Sequence, residues 1–297
     1  MHLDIIDRPD DPALETFHAA YRGAFVLPNE TEELAGFQAC LALNHGGEHE
    51  RLRAAYGPFR ETCLIAREVP GGAMVGGANL IALRHAIDGQ TVLTANLNYI
   101  FVPPAARGRG WFSRLVRAVT GAIPAMLDVA PEAAVRVLVF VEQNDPLCMD
   151  PATYATDSAH SGLDPFDRLR IWAGRGARVL DFPYVQPALS ADQAPDDGLV
   201  YGVMGAAGAA LDSCLLASHL RGFFGISVLK GAALADDAVA TAQLDALDTA
   251  CRRHEPIALL DAREALDRLD TEAAHALVRR GGALRDWLRA LQSPNVA

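Results

Sequence analysis

No stretch of this chain approaches the eighteen or more consecutive apolar residues of a membrane-spanning helix, and Met1-His2-Leu3-Asp4 begins nothing like a secretory signal. Its five cysteines, Cys40, Cys63, Cys148, Cys214 and Cys251, are odd in number and far apart. They supply neither a disulfide framework nor a zinc-binding spacing, and a cytoplasmic protein is expected. Positive charge is short as well. The 26 Lys and Arg stand against 37 Asp and Glu, a formal net charge of −11, which argues against a nucleic-acid surface. The acidity identifies no substrate, because an ordinary soluble protein shares it. The run His45-Gly46-Gly47-Glu48-His49-Glu50 lacks the spacing of a metal site. His49-Glu50 continues into Arg51, Leu52 and Arg53 instead of completing H-E-x-x-H, so no metal is expected.

What is present is apolar and ordered around one stretch. With 297 residues, 51% of them hydrophobic, the chain can bury one large core or two modest ones. Residues 92–102 are apolar and β-branched enough for a buried strand, stopped by Pro103 and Pro104. Arg107-Gly108-Arg109-Gly110 then leads into Trp111, Phe112, Leu115, Val116 and Val119, an apolar set at helical spacing. A strand, a glycine turn and a helix start form a site for an anion. Small residues admit a ligand close to the backbone, and the free N–H groups of the first helical turn point at it. The spacing excludes two phosphate sites. Trp111-Phe112 replace the Lys-Ser/Thr of a nucleotide P-loop, and Ser113 occupies the third-glycine place of a dinucleotide fingerprint.

Val102-x-Pro104-x-x-Arg107-Gly108-x-Gly110, with Leu115 and Val116 following, resembles the acetyl-coenzyme A signature of the GNAT superfamily of N-acetyltransferases. The resemblance implies a fourth strand that splays from the fifth at a bulge, with the acyl-pantetheine arm in the opening. It implies that the amides of Gly108, Arg109, Gly110 and Trp111 hold a pyrophosphate, helped by the charge of Arg107, and that Ile100, Phe101 and Val102 offer backbone groups to the arm. Asn144, after the next strand, takes the place where the family has an Asn meeting the coenzyme arm or the following helix. Two departures stand out. Ala105 occupies the place of a Gln or Arg three residues before the first glycine, and Trp172 stands where the family carries a Tyr that reprotonates the leaving thiolate. An indole cannot do that.

The rest of the chain follows the same order. Residues 3–6 read as a strand. Asp10-Asp11-Pro12 starts a helix carrying Leu14, Phe17 and Tyr21 that ends at Pro28, and further helices are expected over 31–43 and 48–56. Strands follow over 61–67 and 73–83, with Asp88-Gly89 as a hairpin turn. Gly76-Gly77 precede no helix start and read as close packing or a bulge. Residues 135–141 form a continuous apolar strand of a sheet centre, ending in Glu142-Gln143-Asn144. A polar loop over 147–164, a helix from Asp164-Pro165 and strands over 178–182 and 199–203 complete the order. The expected fold is α/β: a mixed, mostly antiparallel sheet of about seven strands in residues 1–207, with helices on both faces. Residues 208–297 read as a helical extension, with helices over 239–253, 256–266 and 272–291. Such a tail can cap the acceptor site, pack on the first unit or make a homodimer.

The resemblance implies direct transfer of an acetyl group from acetyl-CoA to a primary amine, on a small molecule in preference to a protein tail. The base must lie on the acceptor side of the strands. Glu142 is the first candidate, with Asn98 or Tyr99 holding a water and His85 and Glu61 as weaker choices. Tyr184 and Tyr154 are available as the thiolate acid. No triad surrounds Cys148, so it reads as an unreactive thiol. The alternative is an acyl-CoA-binding regulatory or catalytically degenerate module, which Ala105 and Trp172 favour.

Overall fold

The computed structural model describes residues 1–27, 31–87, 89–130, 133, 135–190 and 192–292; Pro28 and Asp88, expected at a helix end and a turn, lie outside them. The chain runs β1 (His2–Ile6), α1 (Ala13–Arg22), α2 (Leu34–Ala42), α3 (Gly46–Tyr56), β2 (Phe59–Arg67), β3 (Met74–Ile87) and β4 (Gln90–Phe101). It continues through α4 (Trp111–Met126), β5 (Arg136–Asn144), α5 (Pro151–Ser161), α6 (Pro165–Ala173), β6 (Arg178–Leu180), β7 (Leu199–Met204) and β8 (Ala210–Leu211). Next comes α7 (Ser213–Phe223), which runs into one π-helical turn, Phe224–Val228. The last elements are α8 (Ala238–Arg252), β9 (Ile257–Leu260), α9 (Arg263–Asp267), α10 (Thr271–Arg280) and α11 (Leu284–Gln292). Aspartates start several of these helices. Asp150, Asp164, Asp212, Asp237 and Asp270 each accept a backbone N–H of the first turn, a cap worth about 1 kcal/mol.

The strands form one sheet in the order β1-β2-β3-β4-β5-β7-β6-β9-β8. Every neighbouring pair is antiparallel except β4 and β5, which run parallel. Alternation along the strands sorts the side chains to two faces. Leu80, Leu93, Leu97, Val139 and Val141 meet Leu115, Val119 and Ile123 of α4 on one face. On the other, Ile81, Leu83, Phe140 and Val203 meet Leu216, Leu220 and Phe223 of α7, while Ile65 and Phe101 meet Phe17, Phe37 and Leu41 of α1 and α2. Gly76 and Gly77 are sites of close approach. A Cβ on Gly76 would lie 2.8 Å from Leu115 and one on Gly77 2.6 Å from the Phe101 ring.

Three expectations need correction. The loop over 147–164 contains α5, which the Asp150 cap and Pro151 initiate. Residues 256–266 are not one helix. Ile257–Leu260 is a strand that pairs with β6 on one side and β8 on the other, because a four-residue apolar run can satisfy its backbone at an open sheet edge. Two helices, α10 and α11, replace the single one over 272–291, with Gly281-Gly282 between them. The part after residue 207 is mainly helical, as expected, and adds two short strands. Residues 1–207 contain seven strands, and β8 and β9 extend the same sheet to nine.

The cysteines hold a further difference. Cys214 of α7 and Cys251 of α8 form a disulfide across 37 residues, although their spacing had pointed to no framework. Such bonds persist in oxidising compartments and are rare in the cytosol, which sets this pair against the cytoplasmic expectation. No helix among the described residues is long and apolar enough to cross a membrane.

Candidate active site

The one parallel pair opens at its carboxyl end. β4 and β5 keep register from Val92↔Arg136 to Leu97↔Val141 and pair no further. At that point β4 carries a bulge. Leu80 of β3 faces Leu97, but Asn79 faces Tyr99, so Asn98 is the inserted residue. A bulge bends its strand, and the bend carries Tyr99–Phe101 along β3 while Glu142–Asn144 stay with β7. The backbone groups that would have joined the two strands are left facing a gap. This is the opening that the acetyltransferase resemblance implies.

A cavity of about 220 Å³ fills the gap. Asn98, Tyr99 and Ile100 of β4 and Glu142, Gln143 and Asn144 of β5 form its two lips. On the side of α4 and α6 it reaches Trp172, and on the opposite side Phe25, Phe37, Cys40, Leu189, Phe223 and Val228. It thus passes through the sheet. The second wall is largely apolar. Glu32 on that wall pairs with Lys230 at 2.8 Å, and on the α6 side Asp157 of α5 pairs with Arg168.

Glu142 lies at the lip with its carboxylate held at both oxygens. The Tyr184 hydroxyl donates to Oε1, and Asn96 Nδ2 donates to Oε2 at 3.1 Å. Burial pushes its pKa up to about 7, with Tyr184 and Asn96 pulling it back and Asp196 adding to the rise. A carboxyl poised near neutrality can take a proton from an ammonium and give it up again. Three amides continue along the floor. Asn96 donates to Asn98 at 2.9 Å, Asn98 to Asn79 at 2.9 Å, and Asn79 to the Thr62 carbonyl at 3.2 Å.

The glycine turn lies at the head of α4. Gly108 and Gly110 take φ of +75° and +72°, with nothing within 4 Å of an added Cβ, a left-handed conformation that glycine adopts without strain. Gly110 is the N-cap, and no side chain caps the helix, so its first amides are available to an anion. Arg109 lies 3.8 Å from Glu68 on the surface and 5.7 Å from the Trp111 ring. Arg107 is placed differently from expectation. Its guanidinium donates to the carbonyls of Val102 at 3.2 Å and Ser161 at 2.6 Å, so it ties the turn to α5 in addition to lending charge. Sequence reading missed Arg175, which donates to Ser113 Oγ and stacks 4.8 Å over Phe112; a separation of 62 residues hides it. Two buried polar atoms here have no protein partner, Trp111 Nε1 and Gln143 Oε1.

The remaining candidates are dispersed. Phe101 turns into the α1–α2 core and does not line the cavity. Tyr184 does not line the cavity, and burial beside Glu142 raises its hydroxyl pKa well above the ordinary value, so its proton is committed to Glu142 and is not free for a thiolate. Tyr154 donates to Asp164 at 2.7 Å. His85 is buried and bonded to Thr94 at 2.8 Å, with its pKa lowered by burial to about 4. Cys148, beside Asp145, is a thiol with its pKa pushed up to about 12, first by burial. His45 and His49 are engaged by the Asp7 and Leu43 carbonyls.

Glu61 is fully buried, with Oε1 accepting from the Ser227 hydroxyl and Oε2 unpartnered. Burial drives its pKa up to about 7 against the pull of Ser227 and Lys230. A carboxyl whose folded pKa exceeds its unfolded one contributes stability below the unfolded value and loses it as pH rises through about 7. Glu61→Gln is therefore expected to raise the melting temperature by several degrees at pH 8.5, for roughly 3 kcal/mol at most, and to lose that advantage near pH 4. Equal melting curves of the two proteins across this range would contradict a buried ionisation here.

No family model and no curated protein matches the chain. Solved structures do. Arabidopsis thaliana NAA60 in complex with acetyl-CoA aligns at 15% identity and TM-score 0.39, covering 70% of this chain and all of that one. A Desulfovibrio desulfuricans protein described as a putative acetyltransferase of the GNAT family aligns at 16% and 0.37, over 69% of this chain and 99% of that one. An aminoglycoside 6'-N-acetyltransferase complexed with coenzyme A aligns at 14% and 0.36, over 69% and 96%. Likeness at these values carries no functional weight. The strand order, bulge and opening described above stand independently of it.

Proposed function

We propose that this protein is a GNAT-type acyltransferase that moves an acetyl group from acetyl-CoA to a primary amine of a small molecule. The observation that carries the reading is the parting of β4 and β5 at the Asn98 bulge, followed in the chain by Gly108 and an uncapped helix start at Gly110. The amides from Gly108 to Trp111 would hold the pyrophosphate, with Arg109 and Arg175 adding charge. The open backbone of Ile100–Val102 and the side chain of Asn144 would hold the pantetheine arm, and Gln143 Oε1 offers an unused acceptor on that lip. A backbone N–H of β4 would polarise the thioester carbonyl. Glu142 would take the ammonium proton before attack. The apolar wall of Phe25, Phe37, Leu189, Phe223 and Val228 fits an amine with a compact apolar body.

Tyr184 serves in this reading as the group that orients Glu142 and not as the thiolate acid, while Tyr99 lines the cavity. The test is calorimetric titration of the intact protein with acetyl-CoA, alongside Gly108→Glu. Saturable binding in the wild type, lost in the variant as a carboxylate and a strained left-handed side chain enter the cradle, is the expected result. A well-folded wild type that binds no acetyl-CoA would end the proposal. Tight binding with no thiol release on any amine would favour a binding module, the reading to which Trp172 inclines.

A further inference from the structure

The chain of contacts behind Glu142 does not stop at Asn96. Tyr201 of β7 places its hydroxyl 2.8 Å from Asn96 Oδ1 and 3.0 Å from His219 Nε2. His219 Nδ1 is 2.8 Å from Thr94 Oγ1, which is 2.8 Å from His85 Nε2. Stacking fixes the rings: His219 lies on Phe140 at 4.0 Å between centroids and Tyr201 on Tyr184 at 4.2 Å. His219 belongs to α7, beyond the first 207 residues.

Donor counting gives the chain a direction. An ionised Glu142 only accepts, so Asn96 must present Nδ2 to it, and Asn96 Oδ1 then faces Tyr201. Tyr201 has one proton and gives it to Asn96, so its oxygen accepts from His219 Nε2–H. Thr94 donates to His219 Nδ1 and accepts from His85 Nε2–H. Every donor points towards Glu142. The amide at Asn96 interrupts any proton wire, so the chain transmits orientation and not protons.

We propose that His219 is a positioning residue for Glu142: its Nε2–H commits the Tyr201 hydroxyl to Asn96 and thereby holds the Asn96 amide with its N–H on the Glu142 carboxylate. Without that N–H, the Tyr201 oxygen competes for the Asn96 donor. Without the Tyr201 hydroxyl, the amide can turn its carbonyl to Glu142, which then favours the protonated acid. The other ionisable groups facing Glu142 are Tyr184 from the segment after β6, Asp196 before β7 and Tyr99 on β4. The Glu32–Lys230 and Asp157–Arg168 pairs close the cavity farther out. The importance of the chain for catalysis rests on Glu142 being the base; its geometry does not.

The first test is nitrogen NMR of ¹⁵N-histidine-labelled, ligand-free protein above pH 8. A neutral His219 protonated at Nε2 is expected, and protonation at Nδ1 would overturn the proposal. The second follows the Glu142 carboxyl by ¹³C NMR. Tyr201→Phe is expected to raise its titration midpoint by about one pH unit, and His219→Leu by less. His219→Gln, which keeps an N–H donor, should restore most of the wild-type value. A midpoint unmoved in folded Tyr201→Phe and His219→Leu would refute the role. If the wild type transfers no acetyl group, the acetyltransferase reading fails, and these titrations still decide the positioning role.

Discussion

Replacing Glu142 with Gln is expected to slow acetyl transfer by about 10²–10⁴-fold, the usual worth of a positioned base, with little change in acetyl-CoA affinity. The amide preserves size and its oxygen can still accept from Tyr184, while its NH2 meets the Asn96 donor and the proton acceptor is lost. The wild-type kcat/KM should rise with pH through about 7, because the carboxyl must ionise before it can act and burial has raised its pKa to that value. The variant should lack this limb. Transfer by Glu142→Gln within a few-fold of wild type, with the limb unchanged, would assign the base elsewhere.

The second large effect concerns the chain beyond residue 207. A fragment of residues 1–207 is expected to lack a cooperative thermal transition. It would leave β6 without its β9 neighbour and strip from the sheet Leu215, Leu216, Leu220, Phe223, Phe224, Ile226, Leu244 and Leu247. At roughly 1.5–3 kcal/mol for each buried side chain, the loss matches or exceeds the ~5–15 kcal/mol that holds a typical domain together. A fragment that melts sharply by circular dichroism near the full chain's temperature would show residues 208–297 to be a dispensable extension.

The centre of the molecule was legible because local signals agreed there. The β-branched run before Pro103, the glycines before an amphipathic α4 and the apolar 135–141 stretch agree on strand, turn, helix and strand, and they bring Glu142 to the lip of the opening. The resemblance implied a bulge but did not place it at Asn98; only the register with β3 does. The strand at Ile257–Leu260 was concealed for a related reason. A short apolar run fits helix or strand equally until a partner edge exists. Nor could spacing show that His219 would reach across to Tyr201 and Thr94 and Ser227 to Glu61, for such contacts depend on where α7 lands. The Cys214–Cys251 bond is of the same kind, a consequence of two helices packing side by side.

The position of β9 also bears on how the molecule is made. β6 emerges from the ribosome about eighty residues before the strand that completes it, an interval on the order of ten seconds of synthesis. During that time the edge of the growing sheet offers unpaired backbone groups beside apolar side chains, a surface open to pairing with other chains. The sheet thus reaches its final form only after the strand at Ile257–Leu260 has emerged. The protein's yield in a cell should depend on how that interval is protected.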